Sequence, residues 1–222
     1  MAKRAVILLS GGLDSATALY YAKSKGYKTY CLIFDYGQRH FKETGQAIKV
    51  AQAARSEYKL VKISLPWKGS ALLDKNRAVP QNRLISPAAI PATYVPARNI
   101  IFLSFAASYA EAVGARAVFI GANAVDFSGY PDCRPEFFAV FQSALRRGLK
   151  AGVEGKPIKI LTPLIRMTKS EIIRLGLRLK VPYRLTWSCY LGGRKPCGKC
   201  DSCRLRQKGF AEAGRPDPYF DT

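Results

Sequence analysis

At 222 residues, 48% of them apolar, the chain is long enough for one domain with a real core, or one domain with a small appendage. No run reaches the ~18 uncharged apolar residues of a membrane span, and strand-like sequence begins at once with no signal peptide ahead of it, so a cytoplasmic protein without a membrane partner is expected. Thirty-six Lys and Arg against 15 Asp and Glu give a net charge of +21, which attracts polyanions, but the basic residues are scattered in short pairs such as Arg146-Arg147 and form no tail.

Residues 4–9 read as a buried strand of β-branched and leucine residues without alternation, and residues 15–25 as a helix. Between them lies Ser10-Gly11-Gly12-Leu13-Asp14-Ser15. Its two glycines permit a tight turn, and the first N–H groups of the new helix face whatever sits there, an arrangement suited to an anion such as pyrophosphate. Ser10 and Ser15 add hydroxyls; Asp14 is better placed to ligate the Mg²⁺ that accompanies ATP than to touch phosphate. The hexapeptide is not a Walker A loop, which needs wider glycine spacing and Gly-Lys-Ser/Thr. It resembles the PP-loop of ATP pyrophosphatases, which cleave ATP between its α and β phosphates. Leu8 and Leu9 before it, and Ala16, Thr17 and Ala18 after it, are the strand end and first helical turn of that cradle.

Gly26 is a helix stop, and residues 28–34 form a second strand that runs into Asp35 and the chain's one histidine, His40. Asp35 suits ribose hydroxyls or an adenine amino group, or else a turn; His40 is a general base or a turn residue. A helix over 41–55 and an alternating strand over 58–63 follow. This alternation signals an α/β, doubly wound, mainly parallel sheet. Residues 64–97 are broken by six prolines and glycines, and a connection of that length is expected to lie near a binding site.

A long apolar helix over 98–113 and a strand over 117–121 lead into the loop 121–135. Phe127 and Tyr130 can stack on a flat heterocycle, Asp126 and Asp132 can accept from its amino and ring N–H groups, and Arg134 can hold a carboxylate. A helix over 136–149, a charged turn over 152–156, a fifth strand over 158–161 and a helix over 169–179 capped by Thr168 complete the pattern. Lys169 opposes the dipole at that helix start, so it is either exposed or aimed at ATP phosphates.

Six cysteines without a secretory context argue for metal or chemistry rather than disulfides. Cys189, Cys197, Cys200 and Cys203 place four thiolates within fifteen residues, with glycines for the sharp turns. Tetrahedral Zn²⁺ in a closed structural site and an iron–sulfur cluster both use such spacing.

Taken together, residues 9–15, 34–40, 94–99, 128–137, 186–190 and 197–205 resemble the 7-cyano-7-deazaguanine synthase family over essentially the whole chain. That resemblance implies an adenine nucleotide alpha hydrolase-like fold with five strands over 1–185, and a four-cysteine zinc segment over 186–222 packed on the same domain. It implies ATP-dependent conversion of 7-carboxy-7-deazaguanine and ammonia to the nitrile, by adenylation of the carboxylate and then of the amide. Asp14, Ser15 and Lys169 become the catalytic candidates, and Arg98, Asp132 and Arg134 the substrate candidates. ATP, Mg²⁺ and Zn²⁺ are the implied cofactors; a homodimer is expected and no nucleic acid is required. The competing readings are a tRNA-modifying PP-loop enzyme such as a thiolase, and a zinc-ribbon nucleic-acid binder.

Overall fold

The computed structural model describes residues 3–39, 41–82, 89–125 and 129–220. Five strands, β1 (Arg4–Leu8), β2 (Lys28–Asp35), β3 (Glu57–Lys62), β4 (Ala117–Ile120) and β5 (Lys159–Leu161), form one sheet in the order β3-β2-β1-β4-β5. Every pair is parallel, with Val6 of the central strand opposite Tyr30 on one side and Val118 on the other. Because helices cover both faces of this parallel sheet, the successive side chains of β1 are buried on alternate sides, which is why it reads as a continuous apolar run.

Ala5, Ile7 and Leu9 face one core with α1 (Leu13–Ser24), α2 (Lys42–Ala53) and α6 (Lys169–Arg178). Val6 and Leu8 face the other, with α3 (Arg98–Ala112) and α4 (Pro135–Gly148). The doubly wound expectation is met, and the strand order reverses beside β1, so the loops after β1, β2 and β4 open at one crevice. No helix among the described residues is long and apolar enough to cross a membrane.

Three elements differ from expectation. The alternation over 58–63 does not become a half-buried strand: β3 is an edge, and only Val61 of its residues is even partly buried. In the C-terminal segment, where the cysteine spacing dominated the reading, there is a twelve-residue helix, α7 (Asp201–Glu212). Its inward positions are Asp201, Cys203, Arg206, Gly209 and Phe210, a helical period written largely without aliphatic residues. The charged turn expected over 152–156 is preceded by a single helical turn, α5 (Lys150–Val153).

The C-terminal segment is tied down by a buried ion pair. Arg206 Nε and Nη2 donate to Asp217 Oδ2 and Oδ1 at 2.8 and 2.9 Å, and Nη1 and Nη2 donate further to Thr186 Oγ1 at 2.7 Å and to the Tyr183 carbonyl at 3.2 Å. Both side chains are about 95% enclosed, at 4% and 5% exposure. Asp217→Ala leaves the guanidinium buried without its counter-charge, and a loss of about 3–5 kcal/mol is expected. Thermal unfolding should show it as a midpoint lowered by on the order of 10 °C, whereas Glu57→Gln, which breaks the exposed Lys28–Glu57 pair, should leave the midpoint unmoved.

Candidate active site and thiolate cluster

The loop after β1 closes on itself through its two serines. Ser10 Oγ accepts from the Gly12 N–H at 3.2 Å, Ser15 Oγ donates to the Gly12 carbonyl at 3.1 Å, and the two hydroxyls lie 3.0 Å apart. Gly11 sits at φ +88°, and a methyl group there would fall 2.4 Å from the Glu43 carbonyl, so α2 presses directly on the loop. Gly12 precedes α1 without a side-chain cap, which leaves the helix's first N–H groups directed into the crevice.

Lys169 opens α6, and its helix start is fixed by a capping box in which Thr168 Oγ1 accepts from the Glu171 N–H and Glu171 Oε2 accepts from the Thr168 N–H. These bonds hold the Glu171 carboxyl below its ordinary range. The lysine is 8% exposed in its side chain and is directed to the loop: Nζ lies 2.9 and 2.8 Å from Asp14 Oδ1 and Oδ2. Both oxygens of the carboxylate expected to meet Mg²⁺ thus face an ammonium.

This pair lines a cleft of about 240 Å³. Leu8, Leu9, Ser10, Gly12, Leu13, Asp14, Ser15 and Lys169 line it, as does Arg98 from the first turn of α3. Gly11, Ala16, Thr17 and Ala18 stand behind the wall: Ala16 and Ala18 are core residues, and Thr17 Oγ1 meets the Leu13 carbonyl and the Tyr183 hydroxyl at 2.8 and 2.9 Å. Asp35 is partly buried and accepts from the Gly37 N–H at 3.4 Å, outside the lining.

A second group of lining residues is aromatic and cationic. Arg98 Nη1 lies 3.5 Å from the Tyr36 hydroxyl. Burial works against its charge, but Tyr36, then Tyr130 and Asp132, hold the guanidinium above its ordinary range. Burial also raises the phenols of Tyr36, Tyr130 and Tyr190, so all three stay neutral donors. Asp132 is not part of the lining. Its Oδ2 accepts from the Asn99 N–H at 3.1 Å, a cap for α3 supplied from a distant loop, and burial raises its carboxyl against the pull of that N–H and of Arg98. Arg134 is exposed at the start of α4 and also lies outside the lining. His40, Asp126 and Phe127 lie outside the described residues.

The cleft also includes residues that sequence reasoning passed over: Gln38, Glu43, Asn123, Trp187, Ser188, Tyr190 and Arg206. Glu43 is a first-turn acid of α2, a position that sequence reads as dipole compensation alone. The Trp187 backbone N–H donates to the Gly11 carbonyl at 2.9 Å, which joins the C-terminal segment to the loop after β1.

At the start of α7 the sulfurs of Cys189, Cys197, Cys200 and Cys203 all lie within 4.8 Å of one another. Cys189 Sγ accepts from the Cys197 N–H at 3.4 Å, and Cys197 Sγ accepts from Lys199 and Cys200 N–H groups at 3.4 and 3.3 Å. The Cys200 and Cys203 thiols stabilise the Cys189 thiolate and hold it far below the ordinary range, while Cys189 in turn pushes Cys200 up to about 11. Four sulfurs this close ionise together only around a cation, and the donor set fits a thiophilic metal.

Comparison with known proteins gives a consistent answer. A family model described as "Queuosine biosynthesis protein QueC" matches residues 4–214. A 7-cyano-7-deazaguanine synthase of Acetivibrio thermocellus is 57% identical over 216 residues, spanning 97% of this chain and 96% of its own. That of Nostoc sp. is 55% identical over 219 residues, at 97% and 96%, and that of Thermoplasma volcanium 52% over 219, at 98% and 90%. Among solved structures, NMN synthetase from Francisella tularensis superposes with a TM-score of 0.52 at 18% identity, covering 97% of this chain and 79% of that one. A 4-thiouridine synthetase in complex with RNA and ATP gives 0.53 at 19%, covering 96% and 50%. These two likenesses show the fold alone, and the sequence relatives establish the family: the chain is a member of the queuosine biosynthesis protein QueC family.

Proposed function

We propose that this protein is a 7-cyano-7-deazaguanine synthase, a carbon–nitrogen ligase that uses ATP and ammonia to turn 7-carboxy-7-deazaguanine into the nitrile. The observation that carries the reading is one cleft lined both by the loop after β1 with the Asp14–Lys169 pair and by Arg98 among neutral phenols. The first group suits a triphosphate, the second a carboxylated aromatic base.

A carboxylate does not accept ammonia, because its carbon is not electrophilic and its oxygen is a poor leaving group. In the proposed reaction its oxygen attacks the α-phosphorus of ATP and pyrophosphate departs, leaving an acyl adenylate. Ammonia adds to the acyl carbon, a proton is lost, and AMP leaves with the C–O bonding pair to give the amide. The amide oxygen is adenylated in the same way by a second ATP. Loss of the nitrogen's protons and of AMP then forms the C≡N bond.

The protein's share is positioning and charge. The N–H groups at the start of α1, with the Ser10 and Ser15 hydroxyls, hold the departing pyrophosphate. Lys169 neutralises charge developing on the α-phosphate. Asp14 and Glu43 are the acids lining the cleft and would hold Mg²⁺, which shields the phosphates from the incoming oxygen. Arg98 pairs with the substrate carboxylate, and Asp132 supports it through Asn99 and the start of α3. At the thiolates the reading is structural Zn²⁺. Tetrahedral bonds of about 2.3 Å put sulfurs about 3.8 Å apart, and Cys197 and Cys203 Sγ lie 3.9 Å apart.

Incubation with the carboxylated base, MgATP and ammonium, without RNA, should yield the nitrile and two AMP per turnover by mass analysis. AMP without nitrile would sink the reading. Asp14→Asn and Lys169→Met should each lower kcat by about 10²–10³. Arg98→Met should raise KM for the base by about 10–100-fold with ATP affinity unchanged. Arg134→Ala, outside the lining, should change neither; equal effects of the two arginines would refute the assignment of the carboxylate to Arg98. Metal analysis should return one zinc per chain from a colourless protein, and Cys203→Ser should abolish it and lower the thermal midpoint; a brown protein would contradict zinc.

A further inference from the structure

The helix α7 carries a glycine, Gly209, in its buried interior, where alanine would ordinarily favour the helix. A local choice against helix stability points to a neighbour that needs the space. The neighbour is Lys169. A methyl group on Gly209 would lie 2.4 Å from Lys169 Cγ, 2.9 Å from its Cβ and 2.9 Å from Ile173 Cδ1. Ile173 meets it only with the far end of a flexible chain. Lys169 meets it with the root of its side chain, which cannot move without taking the ammonium along.

We infer that Gly209 is a positioning residue for Lys169: the bare backbone of α7 at this point lets the lysine stem pass flat against the helix and bring Nζ onto both oxygens of Asp14 at 2.8 and 2.9 Å. Restoring ordinary carbon–carbon contact of roughly 3.5–4.0 Å requires Lys169 Cγ to move by about 1 Å or more, and a 1 Å misplacement at a reacting centre is worth about 100-fold. The same helix starts from Cys200 as its cap and holds Cys203 in its first turn, so the thiolate cluster sets where Gly209 stands along α6.

The inference rests on the reading of Asp14 and Lys169 as the nucleotide-binding group of the cleft, and the test separates the two. Wild type, Gly209→Ala, Lys169→Gly and the double variant are compared for MgATP affinity by calorimetry and for thermal midpoint. Gly209→Ala should weaken MgATP binding at least tenfold and lower the midpoint. In the Lys169→Gly background, where the stem is gone, the same substitution should leave affinity unchanged and raise the midpoint by about 2–4 °C, the ordinary gain of alanine over glycine in a helix. Such a reversal of sign is not expected of a substitution that merely damages the fold. A Gly209→Ala chain that fails to fold supports the inference if Lys169→Gly restores it and overturns it otherwise. MgATP affinity within threefold of wild type, or an equal loss in both backgrounds, overturns the inference alone. Wild type that binds no MgATP overturns the nucleotide reading and the inference with it.

Discussion

The Lys169 ammonium and the Asp14 carboxylate join residues 155 positions apart, and the site depends on that pair. Both stand at helix N-termini, Asp14 in the first turn of α1 and Lys169 at the first residue of α6. A carboxylate is favoured there and an ammonium is not. Asp14 faces the lysine there, while Glu171 offsets the start of α6 through the capping box. An anion arriving at the loop meets fixed donors that need no reorganisation. As a source of stability the pair is a poor one, because desolvation of two ions consumes most of their attraction.

Holding the ammonium in that unfavourable place takes support from several directions. The Thr168–Glu171 box fixes the start of α6, and Tyr183 braces α6 against α1 through the Ile172 carbonyl and Thr17. Trp187 hydrogen-bonds the loop itself, and Lys42 lies 4.1 Å above the Trp187 ring while donating to the Arg194 carbonyl. The C-terminal segment thus contributes to the wall of the cleft beside that loop. Its anchor is Arg206, which lines the cleft while Asp217, Thr186, Ser188 and the Tyr183 carbonyl take up its donors.

How much of this was legible follows the kind of signal. The strands and the phosphate loop were readable because β1 and β2 are near-continuous apolar runs and the glycine pair falls directly after the first. The four cysteines were readable from spacing alone. Helix α7 was not, because its inward face uses cysteine, arginine and glycine, whose burial is explained by a thiolate cluster, by Asp217 and by Lys169 rather than by hydrophobicity. Asp132 reads from sequence as an acceptor for a heterocycle, and only the three-dimensional path of its loop brings it onto the Asn99 N–H as a cap for α3. Lys169 was noticed for opposing a dipole, yet its partner lay too far away in sequence to be named.

The charge of +21 acquires meaning from where the acids are. Asp132, Asp201 and Asp217 are buried, and Asp14 is spent on Lys169. Of the bases that line the cleft, Lys169 and Arg206 each face a carboxylate, and Arg98 stands beside the Tyr36 hydroxyl. Most of the described lysines and arginines lie at the surface. Long-range attraction for anions then falls to the surface field, which acts on encounter rate and fades with ionic strength, while the ordered donors of the loop act only at contact.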